Sequence, residues 1–265
     1  MSNRMKRAIL LFSALAFSAV ASAREPIPMK WTIDGTEREA LVFSPAANAA
    51  SAAVVFGFHG HGGNMRFAAR GMHFQDAWPE AIVVYMQGLP GPSLIPGRDR
   101  TPRAGWQFRA GELNNRDLKF FDAVLKTLHE KYSVDDNRIY ASGFSNGGIF
   151  TYLLWSERPD VFAALAPGGA VILPGVHVSK ARSVLHYGGR RDRLVKFENQ
   201  ERTIEQLRRL NNCSASGKPC GEYCTFYPSS SATPVETVIY PAGHIYPPPV
   251  TALIIKFFQE HPRKS

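Results

Sequence analysis

Cysteine is scarce in this chain: three in 265 residues, Cys213, Cys220 and Cys224, all in one short stretch. That excludes a disulfide-dense scaffold, and with no histidine at ligand spacing beside them the three thiols make a poor zinc site. In an exported protein two of them should pair and leave one over, and spacing does not choose among the three possible pairs. Repeats, low-complexity tracts and a linker to a second domain are also missing, so one large domain is expected. Charge is not concentrated either. The formal net charge is +9, but the basic residues are scattered, with small groups only at Arg98/Arg100/Arg103 and Arg190/Arg191/Arg193. A nucleic-acid partner, which needs cations gathered on one element, is not expected.

No apolar run reaches the roughly 20 residues that cross a bilayer core. The nearest to it, residues 8–20, follows Arg4, Lys6 and Arg7 and ends at Ala21-Ser22-Ala23. That is the pattern of a cleaved signal peptide over residues 1–23, leaving a single domain over residues 24–265 in a secreted or periplasmic protein with no stable membrane anchor.

Past this leader, Asp34-Gly35 separates two alternating segments, residues 30–33 and 39–43, and predicts an antiparallel opening hairpin. Residues 53–58 and 81–85 are continuously apolar, as expected of central strands covered on both faces. Further strands are predicted at 161–166, 183–187 and 236–240, and helices at 148–157, 197–210 and 250–260. Leu118, Phe121, Val124, Leu125 and Leu128 recur at helical spacing, with Asn114, Asn115 and Asp117 as candidate caps. Residues 88–105, rich in Pro, Gly and Arg, form a long loop without a core pattern. Alternation of strand and helix predicts an α/β fold, a mostly parallel doubly wound sheet with an antiparallel N-terminal hairpin.

The chemistry begins at Gly143-Phe144-Ser145-Asn146-Gly147, a G-x-S-x-G between an apolar strand and a helical pattern. A serine on so tight a strand-to-helix turn projects its hydroxyl above the sheet beside a helix N-terminus, which makes Ser145 the candidate nucleophile. A serine hydroxyl needs a base at neutral pH. His244, after the last predicted strand, is in the position for it, and Asp192, in the loop beyond residues 183–187, is in the position for the acid that orients the imidazole. The order Ser145, Asp192, His244 is that of an α/β-hydrolase. His59-Gly60-His61-Gly62-Gly63-Asn64 follows an early central strand, where glycines let backbone N–H groups approach an oxyanion. Asn146 is expected to give one N–H and His61 or Gly62 the other. Metal binding by His59 and His61 is a weak alternative without a third ligand at spacing, so no metal or cofactor is expected. Trp106 is a candidate aromatic wall for substrate, with a core role the alternative.

Four motifs carry a family resemblance: the His59–Asn64 segment, Asn115-Arg116-Asp117-Leu118-Lys119-Phe120-Phe121-Asp122, Gly143-Phe144-Ser145-Asn146-Gly147-Gly148, and Gly243-His244. Together the chain resembles the polyhydroxybutyrate depolymerase and feruloyl esterase family of exported serine esterases. The resemblance implies the triad Ser145, Asp192 and His244. It also implies hydrolysis through an acyl-enzyme of small or oligomeric esters: feruloylated or acetylated polysaccharide, or hydroxyalkanoate oligomers. Members often carry Cys where this chain has His61, and a shorter acid loop than the arginine-rich one around Asp192. A prolyl-oligopeptidase-like peptidase and a non-catalytic binding protein on the same scaffold are the competing functions.

Overall fold

The computed structural model describes residues 24–46, 51–94 and 101–263. The expected leader and the Arg98/Arg100 pair lie outside these residues. Strands β1 (Ile27–Ile33) and β2 (Thr36–Phe43) form the expected hairpin, turning at Asp34 and Gly35 with φ of 48° and 78°. Both continue a ten-stranded sheet with β3 (Ala52–Phe58), β4 (Ile82–Met86), β7 (Val134–Phe144), β8 (Ala164–Gly168), β9 (Ser183–Gly189), β10 (Lys218–Gly221), β11 (Cys224–Tyr227) and β12 (Val235–Tyr240), in the order β1-β2-β4-β3-β7-β8-β9-β12-β11-β10. The run β4-β3-β7-β8-β9-β12 is parallel, and the strands outside it on either edge are antiparallel.

Helices α3 (Arg116–Lys131), α4 (Asn146–Glu157) and α5 (Phe197–Leu210) pack on one face through residues such as Phe121, Leu153 and Leu207. On the other face, α1 (Met65–Met72), the short α2 (Phe74–Ala77) and α6 (Val250–Glu260) bury Met72, Phe74 and Phe258. Burial on both faces explains why β3 and β4 read as unbroken apolar runs. α4 is apolar around its whole circumference, as suits a helix buried on every side.

Chain order reverses between β3 and β7, so the loops that leave these two neighbours open a crevice at the carboxyl edge of the sheet, the usual ligand position in such folds. The loop at 88–105 is not wholly irregular: β5 (Leu89–Gly91) and β6 (Arg103–Gly105) pair as a small separate ladder. The strand expected at 161–166 begins later, because Val161 N–H still closes the turn after α4 on Arg158 O. Among the cysteines, Cys220 and Cys224 form a disulfide across the β10–β11 turn and Cys213 is the free thiol.

The caps expected for α3 are replaced by something stronger. Asn114 and Asn115 adopt φ of 55° and 56° in a 3-10 turn without capping the helix. Asp117 is fully buried and ion-paired to Arg38 of β2 at 2.7 Å, while its other oxygen accepts Gln107 N–H at 2.8 Å. Arg38 also lies over the Phe120 ring at 4.3 Å.

Candidate active site

Ser145 occupies the turn from β7 into α4 with φ 59° and ψ −122°, a conformation that costs an L-residue on the order of 1–3 kcal/mol. The surroundings hold it there. Ser145 N–H donates to Gly168 O at 2.8 Å, and its carbonyl already accepts Ile149 N–H at 2.9 Å, starting the helix at once. The turn is so tight that a Cβ on Gly143 would lie 2.3 Å from Gly147 O, and one on Gly147 2.2 Å from Phe58 O.

Asp192 and His244 come from the loops that follow β9 and β12, neighbouring parallel strands. These loops abut: a Cβ on Gly189 would be 2.2 Å from Gly243 O, and Arg191 N–H donates to Ala242 O at 2.9 Å. Asp192 Oδ2 meets His244 Nδ1 at 2.7 Å, with the carboxylate side chain 1 % exposed. Its Oδ1 accepts the N–H groups of Leu194 and Val195, each at 2.9 Å, and Gln200 Nε2 donates to Oδ2 at 3.1 Å. Three donors therefore fix an acceptor that orients the imidazole, the arrangement that holds a catalytic histidine in one tautomer. His244 Nε2, the other ring nitrogen, is buried without a hydrogen-bond partner, and the ring packs on Phe144 at 4.7 Å between centroids. His244 and Ser145 line the same cleft, of about 600 Å³, together with His61, Gly62, Arg103 and Leu194. A second cavity of about 360 Å³ meets it at Ser145 and is more apolar, with Leu94, Phe108, Ile149 and Leu173 in its wall.

The glycine loop after β3 lies against the elbow: a Cβ on Gly60 would be 3.4 Å from Ser145 Cβ. Of the two expected oxyanion donors there, Gly62 is already committed, its N–H donating to Ala104 O at 2.7 Å. His61 lines both cavities. Asn146 is the first residue of α4, where the N–H has no acceptor within the helix. Its side chain has a role that the sequence did not reveal: Oδ1 accepts Trp106 N–H at 2.8 Å and Nδ2 donates to Trp106 O at 3.1 Å, pinning the long loop to the elbow.

Trp106 is a core residue and not a wall of the cleft. It is 3 % exposed, stacks on Phe150 at 5.0 Å and donates its indole N–H to His59 O at 2.9 Å. His59 is likewise structural. Nδ1 donates to Gly60 O at 2.8 Å and Nε2 accepts Gly88 N–H at 3.0 Å, and burial lowers its pKa, so both nitrogens are used and the ring is neutral. The cluster around Asp192 is partly explained the same way: Arg191 donates to Pro241 O and Arg190 lies over the Phe197 ring. Among the described residues the one group within reach of a common metal ion is Cys220, Cys224 and Glu236, and its two sulfurs are bonded to each other.

Residues 101–174 match the prolyl oligopeptidase family. A probable feruloyl esterase C of Aspergillus clavatus is 28 % identical over 253 residues, covering 89 % of each chain. A bifunctional acetylxylan esterase/xylanase of Neocallimastix patriciarum is 22 % identical over 182 residues; the match takes in 68 % of this chain but only 25 % of that larger protein. Among solved structures, a feruloyl esterase module from Clostridium thermocellum complexed with sinapinate superposes with a TM-score of 0.62 at 15 % identity, covering 91 % of this chain and 89 % of that one. An acetyl xylan esterase from Aspergillus awamori gives 0.61 at 14 %, covering 88 % and 99 %. Fold and elbow define an α/β-hydrolase. Within that class, its sequence is similar to feruloyl esterases, and its fold to feruloyl and acetyl xylan esterases.

Proposed function

We propose that the protein is an exported serine carboxylic ester hydrolase in which Ser145, His244 and Asp192 form the triad. The observation that carries the reading is the Asp192–His244 hydrogen bond of 2.7 Å in a cleft shared with an elbow serine. His244 Nε2 takes the Ser145 proton as the hydroxyl attacks the ester carbonyl, and the N–H groups of Asn146 and His61 hold the oxyanion. Asp192 stabilises the imidazolium, which then protonates the leaving alcohol. Water, deprotonated by the same imidazole, releases the acid from the acyl-enzyme.

The two cavities that meet at Ser145 divide the ester. The apolar one takes the acyl group and has room for an aromatic acid such as ferulate as well as for acetate, while the polar cleft takes a sugar alcohol. Feruloyl and acetyl polysaccharide esters are therefore the leading substrates, with hydroxyalkanoate oligomers the third class. Export is supported by the leader-like N-terminal sequence and by the Cys220–Cys224 disulfide.

A fluorophosphonate probe is expected to label the wild type at Ser145, and Ser145→Ala should lose label and about 10⁴-fold or more in turnover on p-nitrophenyl acetate. Full activity in that variant rejects the mechanism. A panel of methyl ferulate, acetylated xylan and 3-hydroxybutyrate oligomers then ranks the acyl groups. The match of residues 101–174 to the prolyl oligopeptidase family favours one second reading, a peptidase, for which cleavage of a prolyl anilide in preference to every ester would be the sign.

A further inference from the structure

Behind the acid of the triad runs a line of buried polar groups that a carboxylate already held by two backbone N–H groups does not need for solvation. Tyr152 OH is 2.8 Å from His186 Nδ1, His186 Nε2 is 3.2 Å from Gln200 Oε1, and Gln200 Nε2 is 3.1 Å from Asp192 Oδ2. Tyr152, His186 and Gln200 belong to three different elements, α4, β9 and α5, and are 1 %, 0 % and 0 % exposed.

The line has only one consistent polarity. Asp192 Oδ2 and Val195 O are both acceptors around Gln200 Nε2, so the NH₂ end of the amide must face them, at 3.1 and 2.6 Å, and Oε1 must face His186. Oε1 then needs a donor, which makes His186 the Nε2–H tautomer and leaves Nδ1 to accept the Tyr152 hydroxyl proton. A flipped amide would set Oε1 against a carboxylate and a carbonyl, a repulsion that water cannot relieve at this depth. The strand makes room for this contact: a Cβ on Gly188 would lie 2.4 Å from Gln200 Oε1.

We propose that Gln200 is a positioning residue for the triad, and that Tyr152 and His186 act through it by locking its amide in the orientation that holds Asp192 Oδ2 on His244. Burial pushes the pKa of His186 down to about 4, so the ring stays neutral, as a donor and acceptor in series requires. The proposal rests on the triad reading above.

The test uses the full chain, counts active sites by fluorophosphonate labelling, and measures kcat and KM per labelled site on p-nitrophenyl acetate. Wild type that does not label at Ser145 defeats the triad reading itself; labelled enzyme lets the two questions be separated. Gln200→Leu is expected to lower kcat per labelled site ten- to a hundredfold with KM within about twofold, because small misplacements of a catalytic group cost factors of that size. The downfield proton resonance of His244 Nδ1–H should broaden or vanish with it. His186→Leu should show the same signature, and His186→Gln, whose amide donates to Gln200 and accepts from Tyr152, should recover most of the loss. Tyr152→Phe removes a single oxygen with no contact to the triad and guards against misfolding in the larger changes. It is expected to lower kcat severalfold. Variants that keep wild-type kcat per labelled site and an intact Nδ1–H signal, whatever their yield or melting temperature, overturn the proposal.

Discussion

Asp192 is useful to the site only as an acceptor. Each of its four hydrogen bonds arrives from an N–H, one of them from His244. Asp192→Asn keeps the shape but puts an NH₂ group or a carbonyl where a carboxylate oxygen was, so His244 adopts the wrong tautomer or loses its partner. We expect kcat to fall about 10⁴-fold with the fold intact, measured against Ser145→Ala and the double variant. The double variant should be hardly worse than the serine variant alone, since members of a triad act as a unit. That Ser145, Asp192 and His244 sit on turns and loops at strand ends was legible in the sequence, because each follows a predicted strand. Gly62 and Trp106 were not. Whether a glycine N–H faces an oxyanion or the carbonyl of Ala104 depends on a loop distant in sequence, and an indole on a loop has the same letter whether it lines a cleft or stacks on Phe150.

At the scale of elements, two contacts hold the parts that carry the site. Gly147→Ala would drive a methyl group to 2.2 Å from Phe58 O, a backbone atom that cannot swing aside, so either α4 shifts away from β3 or the elbow opens. The expected outcome is a loss of fluorophosphonate labelling together with a large fall in soluble yield. The second contact is Arg38 with Asp117, which ties strand β2 to the start of α3 and, through Gln107, to the loop that Asn146 pins. Arg38→Met leaves the buried carboxylate with only the Arg116 guanidinium, 3.6 Å from its other oxygen, and should cost about 3 kcal/mol, read as a shift in the urea midpoint. The double variant Arg38→Met/Asp117→Asn should recover part of it. This pair was invisible in sequence, where Asp117 at a helix start reads as an N-terminal acid. Elements with strong periodicity or continuous apolar runs, such as β3, β4, α3 and α5, were readable. α1 was not, being only eight residues long, although Asn64 caps it by accepting Phe67 N–H at 2.9 Å. Nor were β10, an exposed edge strand, and β11 beside it, each only four residues long and without alternation.

For the molecule as a whole, one buried group and one half-buried group make opposite demands on pH. His186 is fully buried with its pKa pushed down to about 4 from an ordinary 6.5. Between these values the unfolded chain binds a proton that the folded chain refuses, so stability present above pH 6.5 is lost as pH falls towards 4, by about 3 kcal/mol in all. Glu236 on β12 runs the other way. Burial, with the charge of Glu260 adding to it and Lys256 opposing, raises it from 4.5 to about 7. The folded chain then keeps a proton that the unfolded chain has released, so the stability it contributes is complete below pH 4.5 and is lost as pH rises through 7. In the window they share the two slopes oppose each other and flatten the curve. Glu236→Gln should remove one slope and leave melting temperature rising steadily with pH from 4 to 6.5, while His186→Leu should leave it falling over about the same range. Other groups titrate in this range, but each is common to variant and wild type and drops out of the difference between their curves. A Glu236→Gln curve parallel to wild type across that window would mean that the carboxyl on β12 titrates as it does in water.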